Sequence, residues 1–186
     1  MRAIIISGMP AVGKTTIAKV VSSALGFSVV GGGDVLKEMA IEEGYSPGGS
    51  DWWDTREGMG FLRERKKASG FDKEVDSRLL QKAKRGNVVI TSYPLPWLSN
   101  KGLKVWLSGT AESRARRMAK RDGMAISHCL EVLSIRDKGN YKLYKKIYGI
   151  EFGKDLRPFD LVVGTDSIDE SKVAEIVLQY VRNRKS

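Results

Sequence analysis

Apolar residues in this chain follow two rhythms. Short runs rich in Ile and Val occupy residues 3–7, 27–30, 87–92, 103–108 and 159–164. Uninterrupted runs of this length read as strands buried on both faces. Between them, apolar positions recur at helical spacing, as at Ile17, Val20, Val21 and Leu25 after the first run. Strands alternating with helices predict an α/β fold: a five-stranded parallel sheet with helices on both faces. Two stretches break the alternation. Residues 34–85 separate the second and third runs and hold two helical pieces around a glycine- and tryptophan-rich segment at 44–60. Residues 121–155 separate the fourth and fifth. The expected organisation is one domain over residues 1–186, with a core of 1–33, 86–120 and 156–186. In open parallel sheets ligands sit at the carboxyl ends of the strands. An insertion at 34–85 and a lid at 121–155 are expected to flank that edge.

The turn after the first strand carries the chemistry. It reads Gly8-Met9-Pro10-Ala11-Val12-Gly13-Lys14-Thr15, then Thr16. Glycine, four free positions, then Gly-Lys-Ser/Thr is the P-loop pattern, and here it lies between a predicted strand and a predicted helix, as it must. Such a loop turns backbone N–H groups around phosphate oxygens, and the helix N-terminus adds a positive dipole. Lys14 is expected to reach the β and γ phosphates of a nucleotide and Thr15 to ligate Mg²⁺. Residues 8–16 are thus the expected ATP site of a P-loop NTPase fold.

Composition narrows the setting. There is no apolar run near the ~18 residues of a membrane span. The first strand and loop begin at once, so no cleavable leader is expected. One cysteine, Cys129, excludes an internal disulfide and a cysteine zinc cage. The expected setting is cytoplasmic, and a monomer is expected. The net charge of +10 is local: residues 101–150 hold 12 Lys/Arg against 4 Asp/Glu. Such a cluster implies an anionic partner, either a polyphosphate under a closing arm or nucleic acid. The balanced first 50 residues disfavour a continuous nucleic-acid face, so a small-molecule substrate and no nucleic acid are expected. A nucleotide-dependent RNA-associated protein is the alternative from another class.

Arg114, Arg117 and Arg121 stand at i, i+3 and i+7 of a predicted helix and share a face. With Arg136 further on, they are candidates to neutralise charge on a phosphoryl group in transfer. Asp34, after Gly31-Gly32-Gly33, is either a helix N-cap or a substrate- and metal-site carboxylate that holds a Mg²⁺ water or a ligand hydroxyl, and the two roles are compatible. Lys37 follows one turn later as a phosphate-binding candidate. Trp52 and Trp53 offer faces on which a base can stack.

With these residues in place the chain resembles a nucleoside monophosphate kinase, most closely the archaeal cytidylate kinase family. The resemblance is carried by residues 8–16, Gly33-Asp34-Val35, Phe71-Asp72-Lys73-Glu74-Val75-Asp76, Lys104-Val105-Trp106-Leu107, the arginine helix at 112–121, Tyr144-Lys145-Lys146-Ile147-Tyr148-Gly149-Ile150, and Phe159-Asp160-Leu161-Val162-Val163. It implies transfer of the γ-phosphate of ATP, with Mg²⁺, to CMP or dCMP. Another nucleotide, a nucleoside or a non-nucleotide alcohol is the alternative acceptor. The family usually has Arg where Lys37 stands, and a Gly-Arg pair where this chain reads Thr91-Ser92-Tyr93-Pro94-Leu95-Pro96-Trp97. Arg56 and Arg63, with Lys37, are the cations expected to replace them.

Overall fold

The computed structural model describes residues 3–47, 57, 60–61 and 70–184. Five parallel strands form the sheet: β1 (Ala3–Gly8), β2 (Ser28–Gly31), β3 (Val88–Thr91), β4 (Leu103–Ser108) and β5 (Leu161–Gly164), in the order β2-β3-β1-β4-β5. β1 lies at the centre, in register with β3 from Ala3 opposite Val88 and with β4 from Ile4 opposite Leu103. The expected five-stranded parallel sheet is therefore present.

Alternation along the strands divides the core. Ile4 and Ile6 face α1 (Lys14–Leu25) and the carboxy-terminal helix, packing with Ile17, Val21, Val173 and Val177. Ala3 and Ile5 face the other way, toward Val35 and Met39 of α2 (Gly32–Glu42) and Val75 and Leu79 of α3 (Phe71–Arg85). A one-turn helix, α4 (Leu95–Leu98), follows β3. α5 (Ala111–Asp122) is N-capped by Thr110, whose Oγ1 accepts the Ser113 N–H at 3.2 Å.

The stretch read as a lid is built around one 23-residue helix, α6 (Ile126–Tyr148). Its first half packs on α5 through Cys129 and Leu133 against Ala115 and Met118. Its last turns enter an aromatic cluster that includes Trp106 and Trp97 and in which Tyr144 packs against Phe152 and Tyr93. α7 (Glu170–Asn183) closes the chain over α1. Among the described residues no helix is long and apolar enough to cross a membrane.

One local expectation is corrected. α2 begins at Gly32 with Gly31 as its N-cap, so Asp34 is not the N-cap but stands within the first turn. Its Oδ2 accepts the Gly31 N–H at 2.7 Å, the backward half of a capping box. The glycine run lets the helix start earlier than the carboxylate alone suggests.

Candidate active site

The loop from Gly8 to Thr15 leaves the carboxyl end of β1 and enters α1. Gly8 has φ +151°, and a Cβ there would lie 2.4 Å from the Leu107 carbonyl oxygen. Glycine is thus required by neighbouring β4 as well as by the turn. Ala11 has φ 59°, a left-handed conformation that costs a non-glycine residue about 1–2 kcal/mol. α1 has no side-chain cap and no acidic residue in its first turn. Its leading N–H groups and its dipole are therefore presented to whatever anion occupies the loop. This cradle fits a nucleotide polyphosphate. Among the described residues there is no cluster of three metal-ligating side chains.

Lys14 lies folded against its own loop. Its Nζ donates to the carbonyls of Gly8 at 2.8 Å and Met9 at 2.9 Å and sits 4.6 Å from the centre of the Tyr93 ring. Burial, then the charges of Arg136 and Arg114, push its pKa down to about 7, against a smaller opposing pull from Asp137. Tyr93 is held in turn by Ser7, a fully buried residue of β1 whose Oγ donates to the Tyr93 carbonyl at 2.9 Å.

The three arginines of α5 have separate fates. Arg114 is buried and binds Asp137 of α6 through both terminal nitrogens, at 3.1 and 2.8 Å. It also reaches the Pro10 carbonyl at 3.2 Å, so one guanidinium ties the phosphate loop to α6. Arg117 donates to the Thr165 carbonyl through Nη2, while its buried Nη1 has no partner. Arg121 does not share this environment. It is 63% exposed and pairs with the neighbouring Asp122. Arg136 is exposed on α6, close enough for its charge to act on Lys14.

Beside Lys14 and Thr15 opens a cleft of about 400 Å³. One wall is Gly32, Gly33 and Leu36 of α2, and a second is the Thr91–Pro94 segment after β3. α6 contributes Asn140, Leu143 and Tyr144. The third wall is α3, which presents Asp72 and Asp76. Asp76 is 6% exposed, and the phenol of Tyr148, at the end of α6, donates to its Oδ2 at 2.7 Å. Burial, this bond and the nearby carboxylates push the Tyr148 hydroxyl well above the usual tyrosine range.

Of the residues expected from the sequence, Lys14, Thr15 and Arg114 lie together at the loop, Arg114 through the Pro10 carbonyl. Sequence reasoning missed Asp72, Asp76, Tyr93, Asp137 and Tyr148 as site residues. The i, i+4 spacing of Asp72 and Asp76 was the available signal for the first two. Asp34 lies beside the cleft, already bonded to Gly31. Lys37 is half-buried on α2, and Lys14 is the one cation among the described residues lining the cleft. Trp52, Trp53, Arg56 and Arg63 lie outside the described residues. Trp97 belongs to the aromatic core, 5.0 Å from Phe159 and 6.2 Å from Trp106 between ring centres.

The sequence profile of the cytidylate kinase-like family matches residues 3–167. A cytidylate kinase of Pyrobaculum aerophilum is 34% identical over 97% of this chain and 92% of its own length. One of Ignicoccus hospitalis is 33% identical over 95% of this chain and 97% of its own. In three dimensions the chain resembles a shikimate kinase of Acinetobacter baumannii, with a TM-score of 0.59 at 18% identity, covering 100% of this chain and 95% of the other. At that identity the likeness shows the shared fold alone.

Proposed function

Because the chain belongs to the cytidylate kinase-like family, we propose that this ATP-dependent nucleotide kinase takes CMP or dCMP as its acceptor. The observation that carries the proposal is the continuity of the phosphate loop with the cleft between α2, α3 and α6. A donor on the loop and an acceptor in the cleft would meet at Lys14.

The residues divide the work as follows. The loop N–H groups and Lys14 would hold the donor polyphosphate, and the Thr15 hydroxyl would hold Mg²⁺. With its pKa pushed down to about 7, Lys14 is partly neutral at neutral pH, and an arriving polyphosphate would favour its protonated form. Arg114 is a positioning residue: it fixes the Pro10 carbonyl and ties α6 to the loop. Arg136, exposed on α6 and acting on Lys14, is the cation best placed to stabilise the moving phosphoryl group. Transfer of this kind is catalysed by placement and charge neutralisation. When bound there, Mg²⁺ would supply neutralisation of the phosphate charge.

A second reading is supported by the cleft itself. Lys14 is the one cation among the described residues that line it, so a neutral alcohol such as a nucleoside is the alternative acceptor. For a monophosphate, Lys37, Arg56 and Arg63 must supply the missing charge. Steady-state kinetics with ATP and CMP, UMP, AMP, GMP or cytidine separate the readings. CMP is expected to give the highest kcat/KM. Turnover of cytidine but of no monophosphate would keep the kinase and discard the cytidylate assignment.

A further inference from the structure

The segment after β3 lines the cleft with Thr91, Ser92, Tyr93 and Pro94 and carries no cation. Its one large side chain, Tyr93, is held from several sides. The backbone is tied to β1, where the Ile6 carbonyl accepts the Ser92 N–H at 3.2 Å and the buried Ser7 hydroxyl donates to the Tyr93 carbonyl at 2.9 Å. The ring packs edge-on against Phe152, 5.5 Å between centres, and against Tyr144 of α6 at 6.2 Å. It also meets the Lys14 ammonium, with Nζ 4.6 Å from the ring centre.

An aromatic face is negative, and it attracts an ammonium the more strongly where water is kept away. Lysine, for its part, is a compact charge on a flexible four-carbon stem. Two of the three Lys14 donors are taken by the Gly8 and Met9 carbonyls, and the ring holds the ammonium from the cleft wall. We propose that Tyr93 is a positioning residue for phosphoryl transfer: its ring keeps the Lys14 ammonium where loop and cleft meet, so that the ATP polyphosphate arrives at a cation already in place. Without the ring, ordering that side chain would be subtracted from the binding free energy of ATP. The brace from Tyr144 gives α6 a share in donor binding as well. The proposal concerns the donor alone and holds whichever acceptor the cleft takes.

The test is the Kd of ATP with Mg²⁺, measured by calorimetry on the full chain with no acceptor present. Tyr93→Phe keeps the ring face and is expected to stay within about twofold of wild type. Tyr93→Leu removes it and is expected to weaken ATP binding by about 3- to 30-fold. Phenylalanine bearing one, two or three ring fluorines at position 93 keeps nearly the same shape while draining the negative face. Across that series affinity is expected to fall stepwise with each fluorine. A merely structural role would follow shape, so fluorinated variants that bind ATP as Tyr93→Phe does would overturn the proposal. Tyr93→Leu at wild-type affinity would overturn it too. Tighter binding on fluorination would do the same, since the ring would then be holding Lys14 away from the phosphates. Should Tyr93→Leu fail to fold by circular dichroism, the fluorinated series decides alone by the same criterion. Wild-type protein that binds no ATP overturns the inference as well.

Discussion

At the scale of single residues, Lys14 is the most consequential. Its ammonium has three donors and a half-buried setting. It uses the carbonyls of Gly8 and Met9 and the face of Tyr93, while Arg136 and Arg114 oppose its charge. The folded protein gives up this proton near pH 7, whereas an unfolded lysine keeps it to about 10.5. Between those values the unfolded state binds more protons, so stability rises with pH across the window. Below about pH 7 both states are charged and the full penalty is present. Chemical denaturation of wild type and Lys14→Met from pH 6 to 10 should therefore show the wild type gaining on the variant as pH climbs. Parallel profiles would mean that Lys14 is not desolvated in the free protein. The P-loop was legible in the sequence because its residue spacing is fixed by the chemistry of phosphate binding. Tyr93 was not, since its ring reaches Lys14 only because β3 lies next to β1, a long-range pairing that no local pattern records.

Among the elements, α5 and α6 teach the most. The helical period correctly places Arg114, Arg117 and Arg121 along α5, yet the three differ in burial because α6 covers only part of that face. Arg114 and Asp137 have side chains 5% and 22% exposed and share two hydrogen bonds. Removing one partner of a buried pair costs about 3–5 kcal/mol, and the partial exposure of Asp137 lowers the expectation to about 2–4 kcal/mol. Asp137→Ala should lose that much in denaturant unfolding, while Arg116→Ala, on the exposed side of α5, should stay within about 0.5 kcal/mol of wild type. A loss in Asp137→Ala no larger than in Arg116→Ala would show that the contact between loop and helix holds nothing. The excess of positive charge over residues 101–150 hid this. The sequence displays charge, and only packing tells which charges are paired.

The whole molecule joins a firm sheet to one long helix. α6 is anchored at its end by Tyr144 in the aromatic cluster and tied near its middle by Arg114, so a closing movement of residues 121–155 would swing its first half and leave its last turns in place. Hydrogen exchange with and without an ATP–CMP bisubstrate analogue should show added protection across the first half of α6 and slow exchange of the last turns in both states. Equal exchange throughout would speak against a lid. The strand order places the first-made strand at the centre. β1 ends at Gly8, yet the first strand able to pair with it begins only at Val88, and the one on its other side at Leu103. During synthesis, Ala3-Ile4-Ile5-Ile6 must leave the ribosome and wait through the making of half the protein before either flank can be covered. The segment that holds the nucleotide is thus also the one most exposed to wrong partners in the nascent chain, and the first place where a chaperone would find something to hold.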